Sequence, residues 1–142
     1  MTNTKASHPV PGTKGRVLHS AAGYDLLAWL FLLGRERAFR ERLVRLARFQ
    51  PGQSVLDIGC GTGSLAIAAK RRVGPSGTVE GIDASPEMIA RAKKKASQAG
   101  LAVAFTDGVV EALPFPDARF DAVLSTLMLH HLPREARQQC AR

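Results

Sequence analysis

The stretch Val55-Leu56-Asp57-Ile58-Gly59-Cys60-Gly61-Thr62-Gly63, followed by Ser64-Leu65-Ala66-Ile67-Ala68-Ala69, constrains the fold more than any other part of the chain. An apolar run carrying an acid, three glycines at alternate positions and then an apolar helix-forming segment reads as a buried strand turning tightly into a helix. Glycine permits φ > 0 and lets a ligand approach the main chain closely. The helix start behind it offers unpaired N–H groups and the positive end of the helix dipole. Such a turn is a ligand loop, suited to a carboxylate or a phosphate.

Glycine spacing separates the candidate ligands. The dinucleotide fingerprint is G-x-G-x-x-G and the nucleotide-hydrolase loop is G-x-x-x-x-G-K-[ST]. This chain has G-x-G-x-G, with Asp57 two residues upstream and no Lys after it, so neither phosphate pattern fits. An acid there would repel a pyrophosphate but suits a ligand with an ammonium group beside a carboxylate, which describes the end of an amino acid. At these residues the chain resembles the class I S-adenosylmethionine-dependent methyltransferases, in particular small-molecule enzymes like those of ubiquinone and menaquinone biosynthesis. VLDIGCGTG is that family's first motif.

Asp83 stands 20 residues after Gly63 at the end of a second apolar segment, Thr78 to Asp83, the interval at which an acid grips ribose hydroxyls in α/β nucleotide folds. The turn Gly74-Pro75-Ser76-Gly77 separates that strand from a helix over Ser64 to Val73. The next helix is announced by Ser85 as N-cap, Pro86 in first position and Glu87 in the first turn, and it ends at Gly100. In it Lys93-Lys94-Lys95 reads as a solvated outer face. Leu101 to Thr106 is the third strand and Phe120 to Thr126 the fourth. Successive βα units with right-handed crossovers make an α/β fold, a Rossmann-like parallel sheet with helices on both faces.

Residues 1–19, with Pro9, Pro11, Gly12 and Gly15, read as a mobile arm. Residues 20–50 read as two packing helices, one carrying Tyr24, Leu27, Leu30 and Phe31. The other runs from Arg35 to about Phe49 with Phe39, Leu43, Leu46 and Ala47 on its apolar stripe. Residues 51–142 form the core.

The resemblance implies S-adenosyl-L-methionine as cofactor and direct in-line transfer of its methyl group to a small-molecule acceptor. It implies that Asp57 positions the methionine amino group and that Gly59, Cys60, Gly61 and Gly63 line the ligand through their backbone. Asp83 and Ala84 lie at the ribose and Met88 against the adenine, for which plain core packing is the competing reading. Tyr24 is a lid contact or a packing residue. Gly108-Val109-Val110 matches the family's adenine-side loop, but Val109 stands where many members carry Asp or Asn, which leaves backbone groups or Asp107 for that contact. Leu127, after strand four, lies at the family's methyl-transfer loop. His130 and His131 are weak candidates for a general base and serve equally as helix-entry or packing residues.

The family's strand order is 3-2-1-4 with further strands beyond, for which the sequence to Arg142 shows no counterpart; the resemblance therefore implies a C-terminally incomplete domain. Its fourth strand is then an edge open to self-association.

The chain has 142 residues, 45% hydrophobic and 23% charged, which bounds it to one ordinary globular domain. Its two cysteines, Cys60 and Cys140, make no disulfide framework or metal pattern and suit a reducing cytoplasm. No apolar run is long enough to span a bilayer, and the first residues lack a signal core, so export is not expected. Of the net charge of +8, residues 1–50 supply nine Lys/Arg against three acids, or +6. That is a solvated helix face or an anion-attracting surface. Three other classes remain open: a cofactor-binding chain without independent turnover or needing a partner chain, a nicotinamide-dependent oxidoreductase, disfavoured by the glycine spacing, and a nucleic-acid methyltransferase. The Asn-Pro-Pro-Tyr-like tetrad of many base methylases is absent, Ser125-Thr126-Leu127-Met128 standing in its place.

Overall fold

The computed structural model describes residues 35–126. Tyr24, Leu127, His130 and His131, together with the expected arm and the first packing helix, lie outside them. The described elements are α1 (Glu36–Leu46), β1 (Ser54–Ile58), α2 (Ser64–Val73), β2 (Thr78–Asp83), α3 (Pro86–Gln98), β3 (Ala104–Asp107), a 3₁₀ turn (Val110–Ala112) and β4 (Ala122–Leu124).

The four strands form one parallel sheet in the order β3-β2-β1-β4, the order that the family resemblance implies. Val55 pairs with Val79 and Ala122, and Asp83 with Asp107. The steps from β1 to β2 and from β2 to β3 move in the same direction, so right-handed crossovers bring α2 and α3 to one face. There Val55, Val79 and Phe105 pack with Leu65, Ile67 and Val73 of α2 and Ile89 of α3. On the other face the described cover is a segment without a long helix: Val110, Leu113, Phe115 and Phe120 pack on Leu56, Ile58 and Ile82.

Local chemistry sets the element ends. Ser85 caps α3, its Oγ accepting from Met88 N–H at 3.4 Å. At the other end Gly100 takes φ +66°, its N–H bonding Ser97 O and the Leu101 N–H bonding Ala96 O. That is a Schellman closure, and Leu101 packs back onto the core. The third strand therefore starts at Ala104 rather than at Leu101. The fourth is likewise shorter than the apolar run, because Phe120 turns onto the second face, edge-on to Phe115. Asp121 instead fastens the entry to β1, accepting from Ser54 N–H at 2.7 Å and donating its own N–H to Ser54 O at 2.8 Å.

α1 corrects the expected stripe. Its buried residue is Val44, with Leu43 half-buried, while Phe39 and Leu46 are 40% and 69% exposed and Ala47 is exposed. The helix stops at Leu46 and not at Phe49, because Arg48 takes φ +52° and turns Phe49 into the core, where it is 1% exposed.

Candidate functional site

The strand order reverses between β1 and β4, and sheets of this kind hold ligands at the carboxyl ends of the strands beside that switch point. The glycine loop lies there. Gly59 and Cys60 N–H both donate to Ile82 O, at 2.8 and 3.0 Å, which fastens the loop to β2. Gly59, Gly61 and Gly63 all have positive φ. Gly63 is required twice over: φ is +77°, and a Cβ would lie 2.6 Å from the Phe105 ring and 2.8 Å from Ala92 Cβ. Absence of a side chain there lets α2 start close against α3.

Asp83 does more than its spacing suggested. Its Oδ2 accepts from Gly61 N–H and its Oδ1 from Ser85 N–H, each at 2.9 Å. One half-buried carboxylate thus holds the glycine loop to the start of α3, with lone pairs left for hydroxyl donors. Asp57 is 1% exposed, and its Oδ2 has no hydrogen-bond partner. Burial first, and the charge of Asp83 second, push its pKa up to about 7, against a backbone N–H at Ala66 that favours the ionised form. An orphaned buried carboxylate oxygen under a ligand loop fits a cationic or N–H-bearing ligand group. Cys60 is not set up as a nucleophile: burial above all, then Asp57 and Asp83, pushes its thiol well above the usual range, it packs in the core, and its Sγ donates to Gly61 O at 3.8 Å.

The other sequence-derived positions within the described residues follow the carboxyl ends of β2 and β3. Ala84 lies between β2 and α3, and Met88 is 2% exposed in the first turn of α3. Gly108 N–H donates to Asp83 O at 2.9 Å, and a Cβ at Gly108 would lie 2.7 Å from Ile82 Cδ1. Val109 is buried, Val110 packs in the second cluster, and Asp107 is exposed beside Asp83 in the strand register.

Three groups escaped the sequence reading. Lys95 is not part of a solvated face: its Nζ reaches Thr62 Oγ1 at 3.1 Å and Ser64 Oγ at 2.5 Å, tying α3 to the loop, while Lys93 and Lys94 are exposed. Both carboxylate oxygens of Glu111 are buried without a partner, as is Ser125 Oγ after β4. Glu111 sits in an otherwise apolar run, the one signal that its acid is placed rather than solvated. Among the described residues no group of three or more His, Cys, Asp or Glu is arranged to hold a metal, and no helix is long and apolar enough to cross a membrane.

A parallel α/β sheet with a three-glycine loop over a buried acid, and a second acid at the next strand end, defines a ligand-binding protein of the Rossmann-like class. A methyltransferase domain model matches residues 55–142, and the chain belongs to that family. Over 103 residues it is 44% identical to a demethylmenaquinone methyltransferase of Thermus thermophilus, covering 72% of this chain and 46% of that protein. It is 38% identical over 122 residues to a ubiquinone/menaquinone biosynthesis C-methyltransferase of Xanthomonas campestris pv. campestris, covering 83% and 48%. Among solved structures, a SAM-dependent methyltransferase from Aquifex aeolicus matches with a TM-score of 0.67 at 25% identity, covering 81% of this chain and 61% of that one. The chain spans about half the length of the curated relatives it matches.

Proposed function

We propose that this chain binds S-adenosyl-L-methionine at the glycine loop and acts as a methyltransferase on a quinone-type small molecule. The observation that carries the reading is Asp57 Oδ2, buried and unpartnered beneath glycines of positive φ. It suits the amino group of the cofactor's methionine end, directly or through water. Gly59, Cys60, Gly61 and Gly63 would line the ligand as close-approach backbone, their own N–H groups being bonded to Ile82 O, Asp83 Oδ2 and Cys60 O, and the start of α2 suits the carboxylate. Asp83 and Ala84 would hold the ribose, and Met88, Gly108, Val109 and Val110 the adenine, with Tyr24 and Leu127 as further contacts. Bound there, the cofactor supplies an already activated sulfonium methyl group. The protein's residues then have to bind, orient and exclude water rather than provide a nucleophile, which agrees with the protonated Cys60 thiol. His130 and His131 are the proposed candidates for taking a proton from the acceptor.

The acceptor class rests on the names of the relatives, which favour quinone precursors over nucleic acid and over nicotinamide chemistry. The proposed division is an arm over 1–19, packing helices over 20–50 and the cofactor core over 51–142. Self-association through β4 and a cytoplasmic location belong to the same proposal, the latter supported by cysteine usage alone.

Calorimetric titration of S-adenosylmethionine into the folded chain tests the reading. Binding is expected, weakened about tenfold or more by Asp57→Asn through loss of the charge facing the ligand. Asp83→Ala should weaken it further, since the loop anchor goes with the ribose contact. A folded chain that neither binds nor is stabilised by S-adenosylmethionine would overturn the proposal.

A further inference from the structure

The outer side of α1 carries two large apolar residues that lie outside the described core. Phe39 and Leu46 are 40% and 69% exposed. Seven residues apart, they share one helix face, roughly opposite the buried Val44. Arg35 and Arg42, four residues before and three after Phe39, lie on that same face, and both are exposed. The apolar pair is therefore bracketed by guanidinium groups.

Positive charge extends around this face. Residues 35–50 contain six arginines and two acids, and one of the acids, Glu41, is paired to Arg37 at 2.9 Å. The Gly52 N–H bond to Val73 O, at 2.9 Å, holds the segment after α1 beside the last turn of α2, where Arg71 and Arg72 are exposed.

Exposed aliphatic and aromatic side chains interleaved with arginines suit one kind of partner above others. In the headgroup region of an anionic bilayer the apolar groups enter the acyl boundary while the guanidinium groups meet lipid phosphates. Nucleic acid would attract the same arginines and offers Phe39 a base to stack on, but it gives the more exposed Leu46 nothing to pack on. We propose that the outer face of α1, centred on Phe39, Arg42 and Leu46, docks this protein on anionic lipid surfaces. One short helix makes the attachment weak, reversible and sensitive to salt. The surface is formed by α1 and is separate from the glycine loop, so the proposal stands independently of the cofactor.

Co-sedimentation of the full chain with vesicles of equimolar phosphatidylglycerol and phosphatidylcholine is the test, with pure phosphatidylcholine vesicles alongside. Binding is expected to the anionic vesicles only, and to fall as salt is raised. Arg42→Gln should weaken it about fivefold, and Phe39→Ser combined with Leu46→Ser about tenfold or more. All three positions are exposed, so the melting temperature should hold and show that the variants are folded. Failure of the folded chain to bind anionic vesicles would overturn the proposal. So would binding indifferent to the Phe39 and Leu46 changes, tighter binding to RNA than to vesicles, or a dimer that those changes dissociate.

Discussion

A carboxyl group 1% exposed and facing a second carboxylate keeps its proton longer than it would in water, and this fixes how the fold responds to pH. Asp57 ionises near 3.8 in an unperturbed setting and at about 7 in the fold. Between those values the folded state holds a proton that the unfolded state has lost. Its stabilising share is thus fully present below the lower value and is lost as pH rises through the upper one. Asp57→Asn removes that dependence. The variant is expected to melt several degrees above the parent near pH 8, with a smaller advantage near pH 5, in calorimetric scans without ligand. A cationic ligand group at Oδ2 works in the opposite sense, releasing the proton on binding, so S-adenosylmethionine affinity should rise between about pH 6 and about pH 8. Gly63 sets a steric limit on the same site. Gly63→Ala places a methyl group 2.6 Å from the Phe105 ring at φ +77°, costing about 3 kcal/mol or more from strain and overpacking together. Denaturant titration measures it, and adding Phe105→Leu should recover the steric share but not the backbone share.

At the scale of elements, the legible parts are those where one residue type has one job. β2 runs from Thr78 to Asp83 as its apolar pattern and the preceding Gly74-Pro75-Ser76-Gly77 turn indicate, and α3 announces both ends through Ser85, Pro86 and Gly100. The gathering of Asp57, the glycines and Asp83 follows from the βα pattern and spacing, whereas the strand order comes with the family resemblance. What stayed hidden depends on contacts distant in sequence. The buried side of α1 is not legible in the sequence, because periodicity cannot tell which apolar stripe meets α2. Lys95 looked like its neighbours until the crossing of α3 over the start of α2 brought Thr62 and Ser64 within reach. Lys70 is of the same kind. At 8% exposure its Nζ closes the end of α2, donating to Gly74 O at 3.1 Å and Gly77 O at 2.5 Å. Lys70→Met keeps the stem but leaves two carbonyls without that donor, and should cost about 2 kcal/mol of folding free energy. A chemical denaturation midpoint unchanged from the parent would show that water replaces the ammonium group.

Across the described residues the two faces of the sheet are covered differently, and β4 lies at an edge. Helices α1, α2 and α3 contribute to the core on one face, whereas the described cover of the other is the segment from Val110 to Phe120. That segment shields Leu56, Ile58 and Ile82, but Val123, beside Leu56 in the register, is 57% exposed. β4 pairs with β1 on one side and with no other described strand, and Ala122-Val123-Leu124 carries no charge. A short apolar edge without lysine, proline or a bulge lacks the usual protection against pairing with another strand. The expected consequence is self-association that grows with protein concentration, seen as a rising mass in light scattering. Val123→Lys should return the mass toward that of one chain at little cost in stability, because the position is already largely in water. The Phe39 and Leu46 substitutions on α1 should leave that mass unchanged, since they do not touch the strand edge. A mass that responds to them and not to Val123→Lys would move the contact from the sheet edge to the helix.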